Sequence, residues 1–326
     1  MELKTTVDIP KSQEKISYSD PVLFIGSCFA SETGSKLAEG KMPVLINPAG
    51  TVFNPVSVIN TLDSIISGKE LTKDDLYCHE GTWLSFSHYT DFSSEDPGKV
   101  VEKINRSSEN ARNFLKKARF LFVTFGSARV FRLKKTGAIV SNCHKLPSSF
   151  FDRELLKVTD IANLWNKQLD ILNSEFPGLK VIFTISPIRH WKDGAHGNQV
   201  SKSVLFLAVE ELLRHSSSPG YFPAYELLMD ELRDYRFYAE DMLHPSRLAV
   251  DYIWEKFTEC FLEVRTAQVW REASKITQAV KHRITTDNAG IKKKFAENML
   301  SRIHIMEASV SGIDFKSEKE YFSRLI

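Results

Sequence analysis

Apolar residues fall along this chain in two rhythms. In the first, several run together and stop abruptly: Val22–Ile25 before Gly26, "ARFLFVTFG" ending at Gly126, and "LKVIFTISP" ending at Ser186-Pro187. "MPVLINPAGTVFNP" opens with a shorter run of the same kind. Continuous apolar runs of this length, bounded by turn residues, predict short strands buried on both faces. In the second rhythm apolar residues recur every three or four positions, which predicts helices over 29–39, 55–67, 98–117, 159–175, 198–214 and 247–262. Thr159 and Ser246 suit the N-caps of two of them. Buried strands alternating with helices imply a mainly parallel sheet with helices on both faces, an α/β/α three-layer sandwich.

Two stretches follow neither rhythm. Residues 77–97, "YCHEGTWLSFSHYTDFSSEDP", read as a long, aromatic, turn-rich loop with a little strand. "ARVFRLKKTGAIVSN" reads as a hairpin turning at Thr136-Gly137. From about residue 263 strands give way to charged helical segments, "EVRTAQVWREASKITQAVKHRI" and "IKKKFAENMLSRIHIM". The expected division is therefore an α/β domain over 1–262 and a helical C-terminal extension over 263–326. The extension packs on the body or on a second copy of the chain, which makes a homo-oligomer through these helices one expected partner arrangement.

Composition narrows the classes. The 326 residues are 42% apolar and 26% charged, ordinary values for a globular protein. The 43 basic residues nearly balance the 41 acidic ones, so there is no electrostatic footprint for nucleic acid or an anionic membrane. No apolar run reaches the length of a membrane span, and "MELKTTVDIPKSQEK" lacks a signal-peptide core, so a cytoplasmic location is the default expectation. Four scattered cysteines, Cys28, Cys78, Cys143 and Cys260, do not make a disulfide scaffold. Cys78-His79 and Cys143-His144 lack C-x-x-C spacing, and neighbours on an extended chain face opposite ways, so no metal site is expected. Gly34 and Gly40 do not have phosphate-loop spacing, and no cofactor is expected.

Candidate chemistry gathers after the strands. In a parallel α/β sheet ligands bind at the carboxyl ends of the strands. There the chain places Gly26-Ser27-Cys28, Asn47-Pro48-Ala49-Gly50, Gly126-Ser127-Ala128-Arg129 and Ser186-Pro187-Ile188-Arg189-His190. Cys28 opens a predicted helix, whose N-terminus favours negative charge, so its thiol pKa is expected to fall. Asp241, three residues before His244, can hold one ring nitrogen and leave the other for a nucleophile. A lone cysteine is ordinarily a small buried hydrophobe, and an Asp-x-x-His step is common by chance; the pair together weighs more than either. Arg189 and His190, with Lys192 and Asp193, either bind an anionic substrate group or form a solvated turn. His88 sits in the aromatic loop and ranks lower.

"GSCFA" at 26–30 resembles the motif that names the GSCFA domain family. "NPAGTVFNP" (47–55), "GTWLSFSHYTDFS" (81–93), "NCHKLP" (142–147), "SPIRHWKDG" (186–194) and "DMLHPSRLAVDYIWEKF" (241–257) resemble the same family, in order, across most of 20–262. That family is similar in turn to the SGNH (GDSL-like) hydrolases, esterases and acyltransferases on a flavodoxin-like sheet. The resemblance implies Cys28 in the nucleophile position, Ser27 in place of an aspartate, and Asp241 and His244 as the remaining triad members. It implies Gly50 and Cys28 as backbone oxyanion donors. The superfamily's oxyanion asparagine is missing, because Gly126-Ser127-Ala128 stands in its block; either Ser127, Asn54 or Asn142 replaces it, or activity is weak, or the site has another purpose. Ser27, Asn54, Asn142, His144, Arg189 and His190 are the expected substrate contacts. The implied substrate is an O-acylated carbohydrate or similar small ester, hydrolysed or transferred. The rival reading is a catalytically silent binding module for a carbohydrate or a protein partner.

Overall fold

A computed structural model describes residues 5–281 and 288–326. Its central sheet has five strands, all parallel, in the order β10-β9-β5-β1-β2. They are β1 (Val22–Gly26), β2 (Val44–Ile46), β5 (Phe120–Phe125), β9 (Lys180–Ile185) and β10 (Gly220–Phe222). Numbered among themselves along the chain, these strands run 2-1-3-4-5, the flavodoxin-like doubly wound order. The order reverses between β1 and β5, which is where such sheets open a crevice.

The continuous apolar runs are explained by two cores. Alternate residues of each strand enter opposite layers. Leu23, Ile25, Leu121, Val123, Phe183 and Ile185 join one core. It is covered by α2 (Pro55–Ser67), α3 (Pro97–Leu115), α4 (Val158–Glu175) and α5 (Gly194–Leu212). Val22, Phe24, Phe120, Phe122, Ile182 and Phe222 join the other, under α1 (Cys28–Glu39), the short α6 (Ala224–Glu226) and α7 (Arg247–Phe261). Within it Phe24 stacks on Phe122 with ring centres 4.9 Å apart.

Most predicted elements lie within a few residues of the observed ones. Ser246 does cap α7, its hydroxyl accepting from the Ala249 amide at 3.4 Å. Thr159 does not cap α4, which starts two residues earlier with Lys157 at the cap position. The 77–97 stretch contains a small antiparallel hairpin, β3 (Tyr77–His79) with β4 (Thr82–Leu84). The predicted hairpin forms from β6 (Arg129–Leu133) and β7 (Ile139–Val140). A third strand, β8 (Phe151–Leu155), pairs along the other edge of β6, which the sequence pattern did not predict.

The C-terminal segments are helices: α8 (Val264–Lys281), α9 (Ala289–Ser309) and α10 (Lys316–Ser323). The last residues of the predicted "EVRT…KHRI" helix lie outside the described ones. These helices build a third core around Ile276, Ile303, Phe315 and Phe322, and they lie on the body. Trp270 of α8 donates its indole N–H to the Lys36 carbonyl at 2.6 Å. A Cβ on Gly40 would fall 2.0 Å from the Trp270 ring, so only glycine lets this tryptophan dock. Among the described residues no helix is long and apolar enough to cross a membrane.

Candidate active site

Gly26 shows why a glycine precedes Ser27 and Cys28. The end of β1 approaches β5 so closely that a Cβ at Gly26 would lie 2.2 Å from the Thr124 carbonyl oxygen, and its φ is +150°. The chain then turns directly into α1. Ser27 holds the cap position and Cys28 is the first helical residue. Helix-initial N–H groups have no intrahelical acceptor, so the Cys28 amide is free of that ladder.

Cys28 and Ser27 line a cavity of about 460 Å³ at the carboxyl ends of β1, β5 and β9. Asn54, Ser127, His190 and His244 share its wall. A second cavity, about 610 Å³, meets it at Cys28, Ile188 and His244. Its other walls are α1, the start of α7 and the end of α8.

His244 sits on the loop before α7. Its Nδ1 lies 2.5 Å from Asp241 Oδ2. The other Asp241 oxygen accepts from the amides of Leu243 and His244, at 3.0 and 2.9 Å. These bonds hold the Asp241 carboxyl well below its usual range, at about 2, so it is ionised at neutral pH. The loop is fastened at both ends: the Ala239 amide donates to the His244 carbonyl, and that of Ser246 to the Phe237 carbonyl, both at 2.8 Å. His244 Nε2 has no protein partner among the described residues. No hydrogen bond joins it to the Cys28 sulfur; the two meet as neighbours on the walls of both cavities.

The thiol corrects one expectation. Burial pushes the Cys28 pKa up, and Glu32, one turn along α1, pushes the same way; only its own backbone N–H opposes them. The helix start does not win, because removing the thiolate from water costs more than the helix end returns. Cys28 is a thiol at neutral pH and needs a base.

Gly50 corrects another. Its amide donates to the Asn47 carbonyl at 2.7 Å, closing a tight turn at φ +83°. It is not among the residues lining either cavity and is not placed to bind an oxyanion. His144 is also displaced. Its Nε2 is 2.9 Å from the Ser85 carbonyl and its ring packs edge-on to Phe86, away from the wall that Cys143 contributes.

Four polar residues of the cavity wall bear on this question. Asn54 caps α2, accepting from the Ser57 amide at 2.8 Å and donating one amide hydrogen to the Ser57 hydroxyl at 2.9 Å. Its second amide hydrogen is uncommitted. Ser127 accepts from the Arg129 amide and sits 3.2 Å from the Ser201 hydroxyl, while its own amide goes to the Phe53 carbonyl. Asn142 donates one amide hydrogen to Thr90 and accepts from the His144 amide, so like Asn54 it keeps a second amide hydrogen. Buried Ser27 has a hydroxyl without any partner.

His190 and Arg189 follow β9 and both line the cavity. The His190 ring packs edge-on to Phe53, 5.3 Å between centres, and next to Gly126. Burial and nearby cations pull its pKa down to about 4, so it is neutral. Beneath them lies fully buried Lys202, donating to the Ser186 carbonyl at 2.6 Å and pinning the turn after β9. Arg129 stood in the block after β5, but Lys202 and Arg153 were not singled out by the sequence pattern; charged residues at helix and strand positions give no local signal. Among the described residues no three His, Cys, Asp or Glu side chains converge as metal ligands.

Fold and cleft together define an open parallel α/β protein whose candidate site lies at the strand-order reversal. The sequence matches the GSCFA family over residues 21–257, and the chain belongs to that family. No curated protein sequence matches it.

Proposed function

We propose that this GSCFA protein is an acyl-handling enzyme, an esterase or O-acyltransferase, in which Cys28 takes up the acyl group. The observation that carries the reading is the shared wall: Cys28 at a helix start and His244, held by ionised Asp241, border the same two cavities.

Because Cys28 is a thiol at rest, its proton leaves as the sulfur attacks. His244 Nε2 accepts that proton while Asp241 stabilises the imidazolium through Nδ1. The sulfur bonds to the ester carbonyl carbon, and the carbonyl oxygen becomes an oxyanion. The Cys28 amide and the uncommitted Asn54 amide hydrogen are the donors offered to it. Collapse breaks the carbon–oxygen bond of the ester, the alkoxide recovers the proton from His244, and a Cys28 thioester remains. Water or an acceptor hydroxyl, deprotonated by His244, then attacks the thioester and the thiol is regenerated. Two cavities meeting at one sulfur favour transfer, since donor and acceptor then have separate approaches. An O-acylated carbohydrate or similar small ester is the substrate class. Resemblance to the SGNH hydrolases supports the same chemistry.

The rival reading, a binding module, draws on the missing Cys28–His244 hydrogen bond and the raised thiol pKa. Brief exposure to p-nitrophenyl acetate, followed by peptide mapping by mass spectrometry, separates them. An acetyl group on Cys28, lost in His244→Ala, supports the enzyme. An unmodified Cys28 alongside acetylated exposed Cys78 supports the binding module.

A further inference from the structure

The 460 Å³ cavity has an electrical asymmetry that the acyl chemistry does not use. Arg129, Arg153, Arg189 and Lys192 line it, and no aspartate or glutamate does. The neighbouring 610 Å³ cavity is different: Glu32 and Glu39 stand among its lysines and arginine. Among the described residues Asp193, with a side chain 2% exposed, is the carboxylate that answers these cations from behind the wall. It pairs with Arg153, and it lies 3.6 Å from Arg129 Nε, beyond hydrogen-bond distance. Arg189 meets the Met229 sulfur, at 3.6 Å, and the Tyr225 hydroxyl, and with Met229 it also lines a neighbouring cavity that holds Asp234 and Asp241. No ion pair forms on Lys192 among the described residues.

Three buried donors on this wall lack acceptors: Ser27 Oγ, Arg129 Nε and Arg189 Nε. A buried donor without an acceptor is a cost that folded proteins rarely carry in numbers. All three belong to residues that line one cavity, and Asp193 Oδ2 behind the wall is likewise without a partner.

The cations are not arranged to activate the nucleophile. Among the described residues the charged group that acts on the Cys28 thiol is Glu32, and it raises the pKa. Lys192 and Arg153 act instead on Cys143, on the other side of the cavity. Arg153 also lies over the Phe131 ring, 5.3 Å from its centre, which holds the guanidinium against the hairpin β6–β7. Of the two cysteines on the cavity wall, these cations act on Cys143 rather than on Cys28.

We propose that the part of the cavity formed by Arg129, Arg153 and Lys192 is an anion subsite, and that the substrate is an acyl ester bearing a phosphate monoester away from its reacting carbonyl. Guanidinium forks match oxyanions in pairs of hydrogen bonds, and several cations answered by one carboxylate suit a dianion better than a carboxylate. Naming this anion as part of an acyl substrate rests on the nucleophile reading of Cys28; anion binding itself does not.

The test uses inorganic phosphate, sulfate and acetate as probes at constant ionic strength, by calorimetry on the full chain. Wild type, Cys28→Ala, Lys192→Ala and Arg153→Gln are compared, with circular dichroism to establish folding. Lys192 is exposed, so its variant is the one expected to fold without penalty. The expected result is saturable phosphate binding, weakened at least tenfold in Lys192→Ala and retained in Cys28→Ala. Acetate binding tighter than phosphate overturns the phosphate assignment. No saturable binding of any probe, or binding indifferent to Lys192 and Arg153, overturns the subsite. A second readout is the ratio of kcat/KM for an acetylated sugar phosphate to that for the same sugar without phosphate. It is expected to fall at least tenfold in Lys192→Ala. Phosphate binding without any Cys28 acylation removes the nucleophile reading and leaves the subsite standing; acylation without phosphate binding does the reverse.

Discussion

Two histidine regions of this molecule look alike in sequence and opposite in space. His244 stands on an exposed loop, one nitrogen held by Asp241 and the other bordering a cavity. His88 and His144 stand in the aromatic region, turned inward. His88 is 6% exposed, its Nδ1 2.9 Å from the Ser85 hydroxyl, and burial with the neighbouring His144 brings its pKa down to about 4. His144 spends its Nε2 on the Ser85 carbonyl, and burial lowers its pKa too. Hydrogen bonding to fixed backbone and exclusion of water make a histidine a structural part. A free nitrogen beside a reactive group, with a carboxylate behind the ring, makes it available for proton transfer.

The largest effect expected from this contrast is kinetic. His244→Ala should lower Cys28 acylation by about 10²–10⁴-fold, the range of a lost general base. Its melting temperature should stay near wild type, because the side chain is half exposed. The corresponding change at His88 should do the opposite: His88→Ala should lower the melting temperature and leave acylation per folded molecule intact. If both variants lose acylation equally, the contrast fails.

Asn54→Ser comes next. Serine keeps the helix cap while removing the amide offered to the oxyanion. Acylation should drop about 10²-fold, with chemical-denaturant stability changed by less than about 1 kcal/mol. An unchanged rate would return the oxyanion role to Ser127.

The pH dependence of stability follows from the buried histidines. His88 and His190 bind protons in the unfolded chain near pH 6.5 but in the folded chain only near pH 4. Their contribution is complete above about pH 6.5 and is lost as pH falls toward 4. For His88 this is on the order of 3 kcal/mol. Urea titrations across that window should show a shallower slope in His88→Gln. A slope identical to wild type would mean that His88 takes up its proton while folded.

Gly50→Ala is the smallest effect on chemistry. A Cβ there meets Tyr89 at 2.1 Å and a φ of +83°, so about 1–3 kcal/mol of stability should be lost. Acylation per folded molecule should persist, because the Gly50 amide already belongs to the Asn47 carbonyl. A rate loss with intact folding would restore Gly50 to the oxyanion site.

Much of the fold was legible because buried strands must be apolar on both faces. Phe120–Phe125 and Lys180–Ile185 carry that requirement in nearly every residue. β8 was not legible: "FDREL" has only its ends buried or half-buried, since it lies on an outer antiparallel sheet. The positions of Cys28, Asp241 and His244 could be read from their places beside a strand end and a helix start. Whether an amide or a thiol there is free could not. That depends on which carbonyl each N–H reaches and how much water burial removes, as Gly50 and Cys28 show. The cation cluster was half legible. Arg129 follows β5 and Lys192 follows β9, but Arg153 joins them only through the β6–β8 pairing.

The most direct measurement is the pH profile of Cys28 acylation in wild type and His244→Ala. With His244 as the base, the wild-type rate should level off below the ordinary thiol range near 8.5. In the variant it should keep climbing beyond that, following the free thiolate. Two superimposed profiles, both rising with the thiolate of a buried cysteine, would contradict transfer of the Cys28 proton to His244.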